Sequence, residues 1–184
     1  MKPDYAVREG KTPGKRVLVT YATRMGSTTG IAEAIGRTLA AQGVAVDVRA
    51  MQEVHDLTPY SAVVAGSAIQ AGCWLPEAMQ FMEAHREELA AKPFAAFLSC
   101  MTMSMKHGEY RSSVAQWMAP VRALVRPAHE GYFAGALDLN KIASRSERLK
   151  FRISVLLGAW KEGDHRDWNA IQYWATDLKP ALNL

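Results

Sequence analysis

The stretch TYATRMGSTTGIAEAIG, residues 20–36, joins an apolar run to a helical pattern through a turn of small and hydroxylated residues. The run RVLVTY, which begins at Arg16, is apolar on successive positions, as in a strand that is covered on both faces. Ile31, Ile35 and Leu39 then recur every four residues, which is the spacing of the buried stripe of a helix. The stretch therefore predicts a strand, a tight turn and a helix in immediate succession.

The same alternation of short apolar runs and helical patterns continues along the chain. A last helix is predicted to begin after Asp167, a good N-cap residue, with a core-facing stripe of Trp168, Ile171, Trp174 and Leu178. Strands that alternate with helices predict a parallel sheet with helices on both faces. Five strands favour a single α/β domain over residues 15–184, built on a doubly wound parallel sheet of order 2-1-3-4-5. Residues 1–14 are expected to form a flexible polar tail that precedes this domain. The four further strand-like runs are predicted, like the first, to be covered on both faces; they are VAVDV from 44, AVVAGS from 62, FAAFLS from 94 and GYFAGAL from 131.

A doubly wound sheet binds ligands beyond the carboxyl ends of its strands, where the strand order reverses. In this chain the reversal falls between the first and third strands, so the loops at 22–28 and 67–74 should face each other. The loop from Ser99 to His107 would form the far wall of the same crevice. The candidate binding residues are Thr23, Arg24, Met25, Gly26, Ser27 and Thr28 in the first loop; Ser67, Ala68, Ile69, Gln70, Gly72 and Trp74 in the second; and Ser99, Cys100, Met101 and Thr102 in the third.

The first loop has the chemistry of a site for a terminal phosphate. A helix N-terminus carries unpaired N–H groups and a partial positive charge, and Gly26 would let the backbone approach an anion closely. The loop has neither the lysine of a triphosphate loop nor the glycine pattern of a dinucleotide loop. An ordinary turn with helix-capping hydroxyls would explain the same residues. Trp74 in the second loop, and the methionines in the third, would suit a flat aromatic ligand.

The first loop resembles the FMN phosphate loop of the flavodoxin family, which has the pattern [ST]-x-[ST]-G-x-[ST]. Thr23, Gly26 and Thr28 match its outer and central positions when one additional residue is allowed, and Met25 stands where a hydroxyl residue is usual. The resemblance covers about Arg16 to Leu178. It implies a flavodoxin-like fold, FMN as the cofactor and a role as a redox protein, with the three loops as the binding site.

Several further features resemble one branch of that family, the flavodoxin-like, menaquinone-dependent protoporphyrinogen dehydrogenases. They are Arg24, the GSAIQAG loop, a FAGAL strand before a basic segment, and an acidic residue before tryptophan in DHRDW. This resemblance implies an FMN-dependent oxidoreductase with a quinone or porphyrinogen as its small-molecule partner. No catalytic residue is expected, because the flavin supplies the redox chemistry. His107 is a weaker candidate for proton handling, and no metal site is expected from the spacing of the histidines.

Two other functions remain open. The first is an electron carrier that works between redox protein partners, although such flavodoxins are typically acidic and this chain has a net charge of +4. The second is a non-enzymatic binding module whose loop holds no flavin, for which Arg24 and Met25 are the supporting departures from the pattern.

The excess positive charge is concentrated in one segment, KIASRSERLKFRISVLLGAWK, residues 141–161. It holds six cations against one carboxylate, a net charge of +5, and interleaves them with large apolar residues. Such a segment can lie on an anionic membrane surface or against an amphipathic ligand, and a solvated surface helix would have the same composition. No nucleic-acid partner is expected, because no binding motif accompanies the charge.

The remaining features favour a cytoplasmic protein, with peripheral contact at the inner face of the membrane as a further expectation. Cys73 and Cys100 form no disulfide framework or metal-ligand spacing, which favours a reducing compartment. Residues 1–14 lack the apolar run of a secretory signal. The uncharged stretch at 57–76 is broken by glycines and prolines, so it favours a buried strand over a membrane span.

Overall fold

The computed structural model describes residues 16–105, 109–142, 144–158 and 160–184. The strands are β1 (Arg16–Ala22), β2 (Ala45–Ala50), β3 (Ala62–Gln70), β4 (Cys73–Trp74), β5 (Phe94–Cys100), β6 (His129–Ala134), β7 (Ala136–Leu137) and β8 (Gly163–Asp164). The α-helices are α1 (Ser27–Ala41), α2 (Pro76–Ala84), α3 (Arg86–Ala90), α4 (Glu109–Gln116), α5 (Ala119–Leu124), α6 (Arg145–Leu156) and α7 (Trp168–Ala181).

Five parallel strands form the main sheet in the order β2-β1-β3-β5-β6. This confirms the predicted order 2-1-3-4-5, because β4 is a short antiparallel strand that pairs only with the end of β3. The strand order reverses direction at β1, which lies between β2 and β3: Val19 pairs with Val48 of β2 on one side and with Val64 of β3 on the other. The sheet is therefore doubly wound, and its switch point lies between β1 and β3.

Alternate residues of the central strands contribute to two separate cores, one on each face of the sheet. Val17 and Val19 pack with Ile31, Ile35 and Leu39 of α1, as the spacing predicted. Leu18 belongs to the opposite core, with residues of α2 to α5. Helices α1 and α7 thus cover one face, and α2 to α5 cover the other. A Cβ on Gly66 of β3 would overlap the ring of Phe97, so this glycine leaves the space that the ring fills.

Strand β2 departs from the prediction, because no position of it is fully buried. It lies at the edge of the sheet, where Val46 and Val48 contact the core that contains α1 but only one face is covered.

The last helix, α7, also differs in part from the prediction. Asp167 caps it as predicted, by accepting a hydrogen bond from the Ala170 N–H at 3.0 Å. Trp168 does not join the core stripe, however, since its side chain is 38% exposed.

The predicted fifth strand, GYFAGAL, is divided at Gly135 into β6 and β7. Strand β6 stays in the main sheet, whereas β7 pairs with β8 in a separate two-stranded antiparallel sheet. The chain between β7 and β8 contains α6 and the whole of the basic segment. Among the described helices, none combines the length and the apolar character that crossing a bilayer would require.

Candidate functional site

The first and third loops are joined at the carboxyl end of the sheet by a buried pair of hydroxyls. Thr28 Oγ1, in the first turn of α1, lies 2.8 Å from Ser99 Oγ near the end of β5. Both residues are almost fully inaccessible. Each hydroxyl satisfies the other in a place where an unpaired polar group would be costly. Thr28, which the sequence suggested as a phosphate donor, therefore serves in this structure to hold two loops together.

The turn before α1 leaves the start of the helix open. Gly26 is the N-cap residue at φ +82°, with no side-chain cap, and its N–H donates to Thr23 Oγ1 at 3.1 Å. No acidic residue lies in the first turn, and nothing lies within 4 Å of the place where a Cβ on Gly26 would be. The first turn of α1 therefore offers uncapped backbone N–H groups and the positive end of the helix dipole, next to the free space beside Gly26. This arrangement fits the terminal phosphate of FMN.

Arg24 reaches across to the second layer of helices instead of toward α1. Its guanidinium pairs with both carboxylate oxygens of Glu77 in the first turn of α2, at 2.5 and 3.1 Å. The arginine side chain is 47% exposed and the glutamate side chain is 18% exposed. Since its charge is engaged by Glu77, Arg24 tethers the first loop to α2.

Met25 fastens the first loop to the segment between β7 and β8. Its side chain packs against a small core of Leu137, Leu139 and Ile142, as does Met101 of the third loop. This contact explains why an apolar residue stands at a position where the flavodoxin pattern has a hydroxyl. The basic segment therefore adjoins two of the three predicted loops, because Phe151, Val155 and Trp160 pack on the same core.

The second loop is a hairpin and not an irregular connection. Strand β3 continues to Gln70, turns through Ala71 at φ +51° and Gly72 at φ +78°, and returns as β4. Two successive positive φ values are typical of a tight hairpin turn. The base of the hairpin is fixed by Ser67, whose Oγ donates to Ala68 O at 2.8 Å and accepts the Leu75 N–H at 3.0 Å.

The hairpin divides the predicted residues of the second loop between core and surface. Trp74 is 3% exposed within the hydrophobic core, and its Nε1 has no hydrogen-bond partner among the described residues. Ala68 and Ile69 are half-buried against that core, whereas Gln70 at the tip is exposed. The Trp74 ring thus contributes packing under the hairpin, and the tip around Gln70 is the part that can face a ligand.

The third loop begins with a buried thiol and continues as a short 3₁₀ turn over Met101–Ser104. Burial raises the pKa of the Cys100 thiol, which keeps it protonated and unreactive. Met101 and Thr102 are half-exposed, so they are the members of this loop that can contact a ligand. His107, the candidate for proton handling, lies outside the described residues.

Two residues that the sequence did not single out complete the surroundings of the first turn of α1. A Cβ on Gly135 would lie 3.5 Å from Ser27 Oγ and 3.9 Å from Met101 Sδ, so the glycine sits between the first and third loops. Arg166 donates from Nη1 to Ser27 O at 3.2 Å and holds Asp164 with Nε and Nη2 at 2.8 and 2.7 Å. Its guanidinium lies over the Trp168 ring, 4.3 Å from the centroid.

These contacts explain the position of Trp168 and connect the far end of the chain to the site. Arg166 stands shortly after β8 and one residue before the N-cap of α7, so it links both elements to α1. Arginine and tryptophan both occur in the stretch DHRDW, but nothing in that stretch indicates a contact with the first loop. A groove of about 660 Å³ between α1 and α7, lined by Arg37, Trp168 and Tyr173 among others, contains none of the residues of the three loops.

Comparison with solved structures supports the architecture. The chain resembles a flavodoxin from the domain Archaea at 19% identity and a TM-score of 0.51, with 92% of this chain and 99% of that one covered. It also resembles the flavodoxin of Streptococcus pneumoniae TIGR4 at 16% identity and a TM-score of 0.56, with 90% and 98% covered. A single-residue mutant of a Pseudomonas aeruginosa flavodoxin gives 10% identity and a TM-score of 0.56, with 92% and 99% covered. At these identities the likeness shows the fold alone.

Sequence comparison identifies the family. No curated protein is a significant match to the chain. The family model of the flavodoxin domain, however, matches residues 18–155, about three quarters of the chain, from within β1 to within α6, and includes all three loops. The chain therefore belongs to the flavodoxin domain family.

Proposed function

We propose that the chain is an FMN-dependent oxidoreductase that holds the phosphate of the cofactor at the open start of α1. Flavodoxin domains bind FMN, and FMN is the cofactor of this chain. The observation that supports this position for the phosphate is the start of α1 at Gly26, which has no side-chain cap and no acidic residue in its first turn. A bound flavin supplies the electron and hydride chemistry, so the protein needs no nucleophile or metal of its own.

The described residues divide into those that would touch the cofactor and those that position them. Thr23, Ser27 and the backbone N–H groups of the turn would bind the phosphate. Gln70, at the hairpin tip, and Met101 and Thr102 of the third loop would flank the ring system. The positioning residues are Arg24, Met25, Thr28, Ser67, Trp74, Ser99 and Arg166, which fix the loops through the contacts described above.

We further propose a specific reaction: the chain is a quinone-linked dehydrogenase that resembles the protoporphyrinogen dehydrogenase branch of the family. Its support is the set of sequence features that resemble that branch, together with the place of the basic segment beside Met25 and Met101. A segment that carries both cations and apolar side chains next to the cofactor loops would suit an amphipathic partner such as a porphyrinogen or a quinone. Residues 141–161 would also supply a peripheral contact with a membrane, which can be tested apart from the cofactor and the substrate.

The carrier alternative is equally consistent with family membership, since it requires only the cofactor and a docking site for a redox protein. Anaerobic mixing of the FMN-loaded protein with protoporphyrinogen and a menaquinone analogue separates the two. A dehydrogenase would form porphyrin and quinol over many turnovers. A carrier would give no turnover, although its FMN would still be reduced by a flavodoxin reductase.

A further inference from the structure

Helix α6 exposes an apolar face that the fold does not use. Leu149, Ile153, Leu156 and Leu157 are 60%, 50%, 89% and 77% exposed. In the described part of the chain, seven large hydrophobic side chains are exposed, and these four lie within nine residues of one another. Single exposed leucines are common on protein surfaces, but a cluster of this kind usually marks an interaction site.

The four side chains share one side of the helix. At about 100° per residue, positions 149, 153, 156 and 157 fall within an arc of roughly 100°. Leu157 continues the helical pattern beyond the last helical residue, because its N–H donates to Ile153 O at 2.9 Å. Phe151 and Val155 project from the opposite side and pack on the core of Leu137, Leu139 and Ile142. The inner face is therefore explained by packing, and the outer face is not.

Exposed cations border the outer face. Arg145 and Arg152 fall on one side of the leucine stripe and Lys150 falls on the other, by the same helical geometry. All three residues are exposed. Arg148 has a different role, since it donates to Ile142 O from Nε at 3.1 Å and from Nη2 at 2.5 Å, which anchors α6 to the body of the protein. The outer face thus consists of large apolar side chains flanked by positive charge.

We propose that α6 is a docking helix for anionic membranes, which buries Leu149, Ile153, Leu156 and Leu157 at the boundary between headgroups and acyl chains. Exposed leucines between flanking cations are the arrangement that places a helix in the plane of a bilayer surface. Anionic headgroups complement the net charge of +5 of residues 141–161.

The protein itself could cover the outer face of α6 in two ways, with a second copy of the chain or with its own residues 1–15, and charge disfavours both. A second copy would bring the same +5 segment against this one. Residues 1–15 hold four cations against two carboxylates, a net charge of +2, and few large apolar residues. An acidic protein would satisfy the cations, yet four large aliphatic side chains spread along one convex helix face are better buried by a fluid acyl layer than by a charged surface.

Docking in this way would bring the cofactor loops close to the membrane surface. The inner face of α6 shares its small core with Met25 and Met101, so the first and third loops lie directly behind the docking helix. The membrane contact does not depend on the proposed function, because the exposed face exists whether or not FMN is bound. A failure to bind vesicles would leave the cofactor site intact, and a failure to bind FMN would leave the docking face intact.

The test is co-sedimentation of the full chain with phosphatidylcholine vesicles, with and without phosphatidylglycerol, at low and high salt. We expect the protein to pellet with the anionic vesicles and to be released by salt. The double variant Leu156→Ser/Leu157→Ser should weaken binding about ten-fold. Both side chains are more than three-quarters exposed, so the thermal melting of this variant should match that of the wild type. The charge variant Arg145→Gln/Lys150→Gln/Arg152→Gln should weaken binding to anionic vesicles by a similar factor.

The control is Tyr173→Ser, which removes an apolar side chain that is 75% exposed on α7 and should leave vesicle binding unchanged. Wild-type protein that stays in the supernatant with anionic vesicles at low salt would overturn the proposal. Equal binding by the leucine variant and the control would also overturn it. A third result would also overturn the proposal: polyglutamate displaces the protein from the vesicles, and the leucine variant binds them as the wild type does. That combination would indicate an acidic protein as the partner.

Discussion

The hydroxyl of Thr28 lies 2.8 Å from the hydroxyl of Ser99 inside the protein, and this contact joins the first turn of α1 to the end of β5. The two elements carry the first and third loops of the proposed cofactor site. A buried pair of this kind fixes their separation more firmly than surface contacts would, because breaking it leaves a polar group without a partner.

Replacing Thr28 with valine should destabilise the protein by about 1–3 kcal/mol, since valine keeps the shape but leaves the Ser99 hydroxyl buried and unpaired. Urea unfolding measures the loss. The double variant Thr28→Val/Ser99→Ala should cost less than the sum of the two single variants, because the second change removes the unpaired group. Strict additivity would show that the two hydroxyls do not interact in solution.

Arg166→Ala should loosen the first turn of α1, because it removes the hydrogen bond to Ser27 O and the pair with Asp164. We expect a loss of about 1 kcal/mol in unfolding free energy, as for a partly buried, charge-assisted contact. Arg37→Ala in α1 is the control. Arg37 lies 3.9 Å from Glu33 in an exposed pair, so its loss should change stability by less than about 0.5 kcal/mol. Equal effects of the two variants would contradict the contact role assigned to Arg166.

Stability should fall in acid through Glu130, which Arg122 binds through Nε at 2.7 Å and Nη2 at 2.5 Å. The hydrogen bonds from Arg122 lower the pKa of Glu130 below its ordinary value of 4.5. A carboxyl whose pKa is depressed in the folded state stabilises the fold above its unfolded pKa, and this contribution is lost as the pH falls through the folded pKa. Urea midpoints measured from neutral pH to below pH 4.5 should therefore drop less for Glu130→Gln than for the wild type.

Tyr132 takes part in the same cluster, because its hydroxyl donates to Glu130 and accepts from Arg122 Nη2 at 2.8 Å. Burial, with the hydrogen bond to Glu130, raises the pKa of Tyr132 to about 12. The phenol thus stays protonated throughout the acid titration and does not itself titrate. Because its hydrogen bond also helps to lower the pKa of Glu130, Tyr132→Phe should show an acid dependence between that of the wild type and that of Glu130→Gln. A Glu130→Gln variant with an unaltered acid dependence would show that Arg122 does not stabilise this carboxylate.

Ala71→Gly should stabilise the protein, because Ala71 has φ +51° at the tip of the hairpin and glycine adopts this conformation without steric cost. After allowance for the greater freedom of glycine in the unfolded chain, we expect a gain of roughly 0.5 to 1 kcal/mol in chemical unfolding. The neighbouring Gly72 has φ +78°, so Gly72→Ala should have the opposite sign. A loss of stability in Ala71→Gly would contradict the turn geometry.

The hairpin also marks a limit of what the sequence predicts. The strand order follows from apolar runs that alternate with helical stripes, and the cap at Asp167 follows from its residue type. The turn at Ala71 and Gly72 lacks the Asn-Gly or Asp-Gly signal of a tight hairpin, so the sequence does not predict β4. Without the hairpin, nothing in the local pattern indicates that Trp74 lies in the core.

Other site features depend on contacts between distant parts of the chain. Met25 packs on residues more than a hundred positions later, and Arg166 reaches Ser27 over 139 positions. The residue pattern around Met25 or Arg166 does not indicate which distant residues they contact. The candidate loops could be named from the sequence because strand ends are local features, whereas the division of their residues into exposed and structural ones required the packing.

The central claim is that the turn at Gly26 holds the phosphate of FMN, and one pair of variants tests it directly. Gly26 and Gly43 flank α1 at its two ends, at φ +82° and +83°, and at both positions the space that a Cβ would enter is open to 4 Å. Valine should strain both turns alike, but only at Gly26 would it fill the space before the helix and move the N–H groups of the turn. We predict that Gly26→Val weakens FMN binding more than ten-fold in a flavin fluorescence titration, about 1.4 kcal/mol, while Gly43→Val binds as the wild type does. Equal dissociation constants for the two variants would contradict the claim.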